Sequence, residues 1–284
     1  MKRRSFLKKS LTSTLSLFGL SGGTYYYAKE IEPSMLRIQK EQISSSKIPK
    51  TFHNYKIVQF SDTHIGFNYN LDQFSELIEE MNKQKADIVI FTGDLVDKPQ
   101  EYDWNQEIID LLQRIDAPKK YWIYGNHDHG GYGTEIVKET MDRGGFVLLQ
   151  NSSVRIEKSS QYINLAGIDD IMLGKPDIKK TLNNVDPNYF TIFLVHEPDF
   201  ADTTKSYDVD IQLSGHSHGG QIQIPFFGYV YTPALAEKYV EGRYNLPASS
   251  LTLYVSRGIG TTRLPYRFLC KPEFTVYQLK ATVE

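Results

Sequence analysis

Five times along this chain, a run of β-branched and aromatic residues ends in residues that can ligate a cation. KIVQF (56–60) leads to Asp62-Thr63-His64, and DIVIF (87–91) to Gly93-Asp94. YWIY (121–124) leads to Gly125-Asn126-His127-Asp128, FTIFLV (190–195) to His196-Glu197, and DIQL (210–213) to Gly215-His216-Ser217-His218. Apolar runs of this kind read as buried strands. The first polar residues beyond them then lie at the carboxyl ends of the strands, where open α/β sheets gather their ligands. Buried charges need partners. Five strand ends carrying Asp, Asn and His therefore point to a metal site, and to two metals rather than one.

Between the runs the pattern switches to helical spacing. Strands are expected near 55–60, 87–91 and 120–124, alternating with helices at 71–84, 105–115 and 134–142. This is a βαβ series with a largely parallel layer. From Gly145 onward strands follow one another, near 145–149, 152–157, 161–167, 190–195, 209–213, 251–255 and 273–279. A four-layer αββα sandwich, two mixed β-sheets flanked by helices, accounts for both halves. Residues 29–52 read as a linker and a lead-in strand. There is no internal repeat, and 284 residues at 40% hydrophobic can bury a full core.

Charge is uneven. Lys2, Arg3, Arg4, Lys8 and Lys9 fall in the first nine residues, leaving 27 basic against 34 acidic residues in the rest. An acidic body argues against a nucleic-acid surface. Cys270 is the only cysteine, which excludes a disulfide framework and a thiolate metal knuckle. The start, KRRSFLK followed by LTSTLSLFGLSGG, has the paired arginines and Ser/Gly-diluted apolar tract of a twin-arginine export signal. The expected organisation is residues 1–32 as signal, possible membrane tether and linker, and 33–284 as the catalytic domain. The expected location is extracellular, in the cell wall or on the outer face of the plasma membrane, with the twin-arginine translocase as a transient partner. Whether the signal is cut stays open, as does membrane association through an uncut N-terminus.

Taken together, the blocks D-X-H, G-D, G-N-H-D, H and G-H-X-H resemble the calcineurin-like metallophosphoesterase family, over about residues 53–280. The resemblance implies that Asp62, His64 and His218 bind one metal, that Asn126, His196 and His216 bind the other, and that Asp94 bridges them. It implies two divalent ions per chain, and mixed imidazole and oxygen ligands favour Mn, Zn or Fe. It implies hydrolysis of a phosphate ester by a metal-bridging hydroxide, with His127 protonating the leaving oxygen. Asp97 is the expected partner that orients His127, with Asp128 as the alternative. A turn-residue role for Asp97 ahead of Pro99 stands beside it.

Protein Ser/Thr phosphatases of the superfamily carry G-D-X-X-D-R-G, where this chain has Asp97-Lys98-Pro99. The missing Arg removes a bidentate phosphate clamp that Lys98 could replace only as a point charge. The order GNHDHGGYG, VHEPD, GHSHGGQIQ and TRLP, with the twin-arginine start, is similar to the exported, cell-wall metallophosphoesterase subgroup of Gram-positive bacteria. Relatives that hydrolyse UDP-diacylglucosamine make a phosphodiester or diphosphate bond, wall- or lipid-linked, the favoured target. A phosphomonoester is possible. A non-catalytic metal-binding or wall-binding protein of the same fold is the alternative function, and His127 argues against it.

Other signals have two readings each. His129 either touches substrate or sits exposed in a glycine-rich turn. Arg263 either approaches phosphate or is paired structurally. Gln221 could orient a ligand. The apolar segment Gln223–Tyr231 (QIPFFGYVY) is expected in the core, with a substrate wall or membrane-facing lip as the alternatives.

Overall fold

A computed structural model describes residues 21–129 and 134–282. The paired arginines and Gly130–Gly133 lie outside the described residues. Two six-stranded sheets face each other. The first has the order β1 (Arg37–Ser45), β14 (Glu273–Ala281), β2 (Lys56–Phe60), β3 (Ile88–Phe91), β4 (Lys120–Trp122), β5 (Val147–Leu148). The second has the order β12 (Gly242–Asn245), β13 (Thr252–Val255), β9 (Ile211–Ser214), β8 (Thr191–Leu194), β7 (Gln161–Gly167), β6 (Ser152–Lys158). Within each sheet four neighbouring strands run parallel: β2 to β5 in the first, and β13, β9, β8 and β7 in the second.

Strand periodicity explains the layering. In β2, Ile57 faces the second sheet while Val58 and Phe60 face the helices. β3 divides in the same way, with Ile88 and Ile90 inward and Val89 and Phe91 outward. Both faces are apolar, as a buried parallel layer requires. The outward face packs on the helices Leu71–Asn82, Gln106–Gln113 and Thr134–Arg143 through Phe74, Ile78, Ile108, Leu112, Val137 and Met141. The first of these helices begins with a reciprocal capping box between Asn70 and Gln73, which satisfies two free N–H groups.

The outer face of the second sheet is thinner. It is covered by the short helices Ile178–Leu182 and Ala201–Thr204 and by loops, around Ala166, Phe193, Leu253 and Val255. The αββα expectation holds, with one helical layer full and the other reduced. The lead-in strand expected within 29–52 is β1, in which only Ile43 is buried; the edge strand β12 (GRYN) went unread in the sequence. Edge strands bury too little to carry an alternating signal.

The apolar segment 223–231 is a correction to the core-packing expectation. It forms a small hairpin, β10 (Gln223–Ile224) and β11 (Gly228–Tyr229), outside both sheets. Phe226 and Phe227 at its tip are 106% and 88% exposed.

Candidate metal centre

Every residue expected to hold metal comes together at the carboxyl ends of β2, β3, β4, β8 and β9. Strands drawn from both sheets therefore contribute to one point. The chain has to turn sharply there to aim side chains back at the centre. Asp62, His64, Asp94, His216 and His218 accordingly adopt left-handed backbone, with φ of 54°, 43°, 66°, 69° and 52°. Such conformations are costly for non-glycine residues and cluster at functional sites. Glycines make room around them. Gly93 has φ +98°, and a Cβ there would lie 2.5 Å from the Gly125 nitrogen. A Cβ at Gly215 would run into the Asp62 carboxylate and the Ser61 hydroxyl.

The hydrogen bonds assign the imidazole tautomers. His196 donates from Nδ1 to the Thr92 carbonyl (2.7 Å), which leaves Nε2 a bare lone pair. His216 donates from Nε2 to the Ala234 carbonyl (2.9 Å), which leaves Nδ1 bare. Those two bare nitrogens face each other at 3.2 Å. His64 donates from Nδ1 to the Asp97 carboxylate (3.2 Å), and its free Nε2 faces His218 Nε2 at 3.0 Å. An Asp94 carboxylate oxygen lies 3.4 Å from His64 Nε2 and 3.3 Å from His196 Nε2. Asp62 Oδ1 is 3.6 Å from His218 Nε2.

Lone pairs this close repel unless a cation sits among them. Asp62, His64 and His218 form one buried group that could take up a metal ion, and Asp94, His196 and His216 form another. Asn126 Oδ1 is buried without a hydrogen-bond partner, as is His218 Nδ1. A buried amide oxygen with no donor is a cost that a cation removes. His64, Asp97 and His127 make a third close group, but it shares His64 with the first.

Electrostatics divides the set. Asp94, His216 and His218 are held in the forms a metal takes. Burial lowers the His196 pKa, but Asp94 and Asp62 outweigh it and raise His196 well above the usual imidazole value, and burial raises Asp62. Burial pushes the Asp94 carboxyl up, yet His196, His127 and His64 outweigh it and hold Asp94 well below the ordinary carboxylate range. Burial drives His216 down to about 3, and burial with His64 drives His218 well below the usual imidazole value. Neutral imidazole and ionised carboxylate are the forms a metal needs.

His127 lies beside this floor and lines a cavity of about 360 Å³ that opens over it. Its backbone N–H donates to Asp94 Oδ1 (2.9 Å), and its Nδ1 donates to the Asp97 main-chain carbonyl (2.5 Å). Asp97 therefore does hold His127, but through its backbone. Its carboxylate is 3.8 Å from His127 Nδ1 and is engaged by His64 instead. This corrects the expected carboxylate–imidazole pair. Asp128, the alternative, is a clamp: its carboxylate accepts from the backbone N–H groups of Asp94, Leu95 and Gly125. Burial lowers the His127 pKa, but Asp94 and the Asp97 carbonyl more than offset this and raise it above the usual histidine value.

Two of the remaining expectations change. His129 is neither exposed nor among the residues that line the cavity; its Nε2 pairs with Asp169 at 3.0 Å and its ring meets Tyr124. The Gln221 amide donates to the Thr262 and Leu264 carbonyls, so it ties down the rim and orients no ligand. Lys98 pairs with Glu101 on the surface and does not replace the absent Arg. Arg263 does enter the picture. Its guanidinium lies 4.9 Å from the centre of the Tyr231 ring, and both line the cavity mouth. Among the described residues no carboxylate pairs with it, contrary to the structural-pairing alternative. The carbonyls of Thr92 and Ala234, which fix two imidazoles, carry no signal in the sequence because any residue supplies a carbonyl.

A two-sheet sandwich with a floor of paired Asp and His groups at its strand ends defines a phosphoester-hydrolysing metalloprotein. The calcineurin-like phosphoesterase model matches residues 55–220, and the chain belongs to that family. It is similar to the metallophosphoesterase YkuE of Bacillus subtilis, 45% identical over 99% of each chain. It is 26% identical to the UDP-2,3-diacylglucosamine pyrophosphatase LpxG of Chlamydia muridarum, over 93% of this chain and 96% of that one. It is also 26% identical to the phosphodiesterase YaeI of Escherichia coli, over 98% of this chain and 99% of that one. The chain is a metal-dependent phosphoesterase, a hydrolase with buried Asp and His clusters able to bind metal.

Proposed function

We propose that the chain cleaves a phosphodiester or diphosphate bond at two divalent ions, Mn, Zn or Fe, outside the cytoplasm. Asp62, His64 and His218 hold one ion; Asn126, His196 and His216 hold the other; Asp94 lies between them. The carrying observation is two pairs of facing imidazoles, His196 with His216 at 3.2 Å and His64 with His218 at 3.0 Å, whose other nitrogens are committed or without an acceptor. Ions held there supply Lewis-acid polarisation at phosphorus and lower the pKa of water.

The remaining work falls to the chain itself. Arg263 at the mouth attracts and seats the anionic substrate. His127, with Nδ1 held by the Asp97 carbonyl and its pKa raised, keeps a proton for the leaving oxygen. Asp97 sets the tautomer of His64, which keeps Nε2 free for metal. The diester or diphosphate preference draws support from a pyrophosphatase and a phosphodiesterase among the relatives. Export rests on Arg3-Arg4 and the apolar tract that follows, and fractionation of cells carrying Arg3-Arg4→Lys-Lys tests it.

The activity test uses the full chain, stripped of metal and reloaded with Mn, on an aryl phosphodiester and an aryl phosphomonoester. Diester turnover that exceeds monoester turnover and requires metal is the expected result. Two equivalents of bound metal with no turnover of either ester would overturn the proposal and leave a metal-binding protein.

A further inference from the structure

The hairpin at the cavity mouth is built to expose what a folded chain normally hides. Of the eighteen large apolar side chains the described residues expose, seven lie between Ile224 and Leu235, so exposure is concentrated rather than scattered. The tip is the extreme case. Phe226 takes φ +70°, a strained value for a bulky residue, and the turn is closed by Phe227 N–H donating to the Ile224 carbonyl. Strain and exposure together present two phenyl rings to whatever lies outside. Soluble monomers rarely keep a contiguous apolar patch of this kind without a use for it.

The patch continues past the hairpin. Gln223 N–H donates to the Phe268 carbonyl (2.9 Å), and the Phe268 ring meets Tyr27 with centroids 6.3 Å apart. Tyr25 packs on Tyr266 at 5.6 Å while remaining 54% exposed. Leu264 and Leu269 on the same loop are about half exposed. The first described turns of the chain therefore join the apolar hairpin on one face, and the cavity over the metal floor opens at its edge through Val230, Tyr231 and Leu264.

What covers this face follows from where the chain comes from. Twenty residues precede the described part, basic at the start and then apolar through LTSTLSLFGL. They enter the fold at Tyr25–Tyr27, beside the hairpin. The chain that carries the apolar tract thus joins the fold on the same face as the exposed hairpin, so a bilayer receiving the tract has this face nearest to it. None of the described helices is long and apolar enough to cross a membrane. Aromatic side chains at such a tip suit the boundary between headgroups and acyl chains.

We propose that the hairpin Gln223–Tyr229, with the loop Leu264–Leu269, is a membrane-docking surface that seats the cavity mouth against a lipid bilayer. The substrate is then an amphiphile, its phosphorus drawn up to the metal floor while its acyl chains stay at the hairpin. The docking half stands on the exposed face alone; the substrate half rests on the phosphoesterase reading above.

The test places an environment-sensitive dye on the full chain at Phe226→Cys, with Glu157→Cys on β6 as the comparison; Cys270 is buried and stays unlabelled. Vesicles of phosphatidylcholine and phosphatidylglycerol should shift the dye at 226 to the blue, and doxyl-labelled lipid should quench it, with neither effect at 157. Phe226→Ser/Phe227→Ser should weaken vesicle binding by at least about tenfold, since two buried phenyl rings are lost. The same variant should change turnover of a soluble aryl diester by less than about twofold and lower kcat/KM for a two-tailed diphosphate in vesicles by at least about tenfold. A dye at 226 that stays in water while the protein sediments with vesicles overturns the docking surface, because the N-terminal tract alone is then the tether. A wild-type dimer made monomeric by the double substitution, with no quenching, overturns it in favour of a contact between copies. Quenching with no turnover of any ester supports docking and removes the phosphoesterase reading.

Discussion

The floor and the rim of the cavity are built on opposite principles. On the floor, Asp62, His64, His196 and Asp94 are at most 2% exposed; the two imidazoles each commit one nitrogen to an acceptor, and the two carboxylates accept backbone N–H groups. On the rim, Val230 and Tyr231 are exposed, and the short hairpin before them carries Phe226 and Phe227 outward, clear of the cavity. A rigid floor preorganises charge and costs nothing to reorganise during reaction. On the docking proposal above, the rim is what selects the substrate that reaches that floor. Substrate identity would then be written in the part of the chain with the least packing, and the chemistry in the part with the most.

The largest effect should come from the point where both metal groups meet. Asp94→Asn removes a charge that His196, His127 and His64 all lean on. Loss of Lewis-acid stabilisation worth several kcal/mol implies a fall in kcat/KM of about a thousandfold or more. Metal analysis should give less than two equivalents. Full loading of the variant would remove Asp94 from its place between the ions.

His127→Ala should leave metal content intact and lower diester hydrolysis at least about a hundredfold, the usual scale of a positioned acid. A proton donor works below its pKa, so wild-type activity should fall as pH rises through the raised His127 value, and that limb should vanish in the variant. Asp97 separates the two regions more finely. Its carbonyl holds His127 and its carboxylate holds His64, so Asp97→Ala keeps the first bond and loses the second. We expect metal affinity to drop about tenfold, the lower end for an outer partner of a ligand, with the pH limb assigned to His127 retained. Loss of that limb with metal affinity unchanged would mean the carboxylate serves His127 after all.

The floor was legible in the sequence because its parts are side chains of special type at the ends of unmistakable strands. The pattern marked the clusters that contain Asp62, His64, Asp94, Asn126, His196, His216 and His218, the family resemblance singled these seven out of them, and the two-sheet sandwich followed from βαβ alternation giving way to successive strands. Two things were hidden for one reason: main-chain atoms have no letters. The Thr92 and Ala234 carbonyls that fix His196 and His216 are invisible, and so is the fact that Asp97 reaches His127 through its backbone. The rim misled for another reason. QIPFFGYVY has the composition of a core strand, and composition cannot tell a segment that is buried by its own fold from one that waits for another surface. Pro225 and Gly228 were the only local hints of a turn.

The smallest effect should lie where floor and rim meet. Arg263 stands in left-handed backbone (φ 61°), is exposed, and lies over the Tyr231 ring. That contact holds the guanidinium at the mouth without neutralising it, which a carboxylate would have done. A cation so placed attracts the anionic group before chemistry begins, so its contribution is shared between bound substrate and transition state. Uniform binding of that kind shows in KM and leaves kcat nearly unchanged. Arg263→Ala should therefore raise KM for the soluble diester by about fivefold with kcat altered by less than about twofold. Arg263→Lys should recover part of the loss, because charge survives while the flat face on Tyr231 does not. A fall in kcat instead would put Arg263 on the reacting phosphoryl group, and the boundary between floor and rim would have to be redrawn to include it.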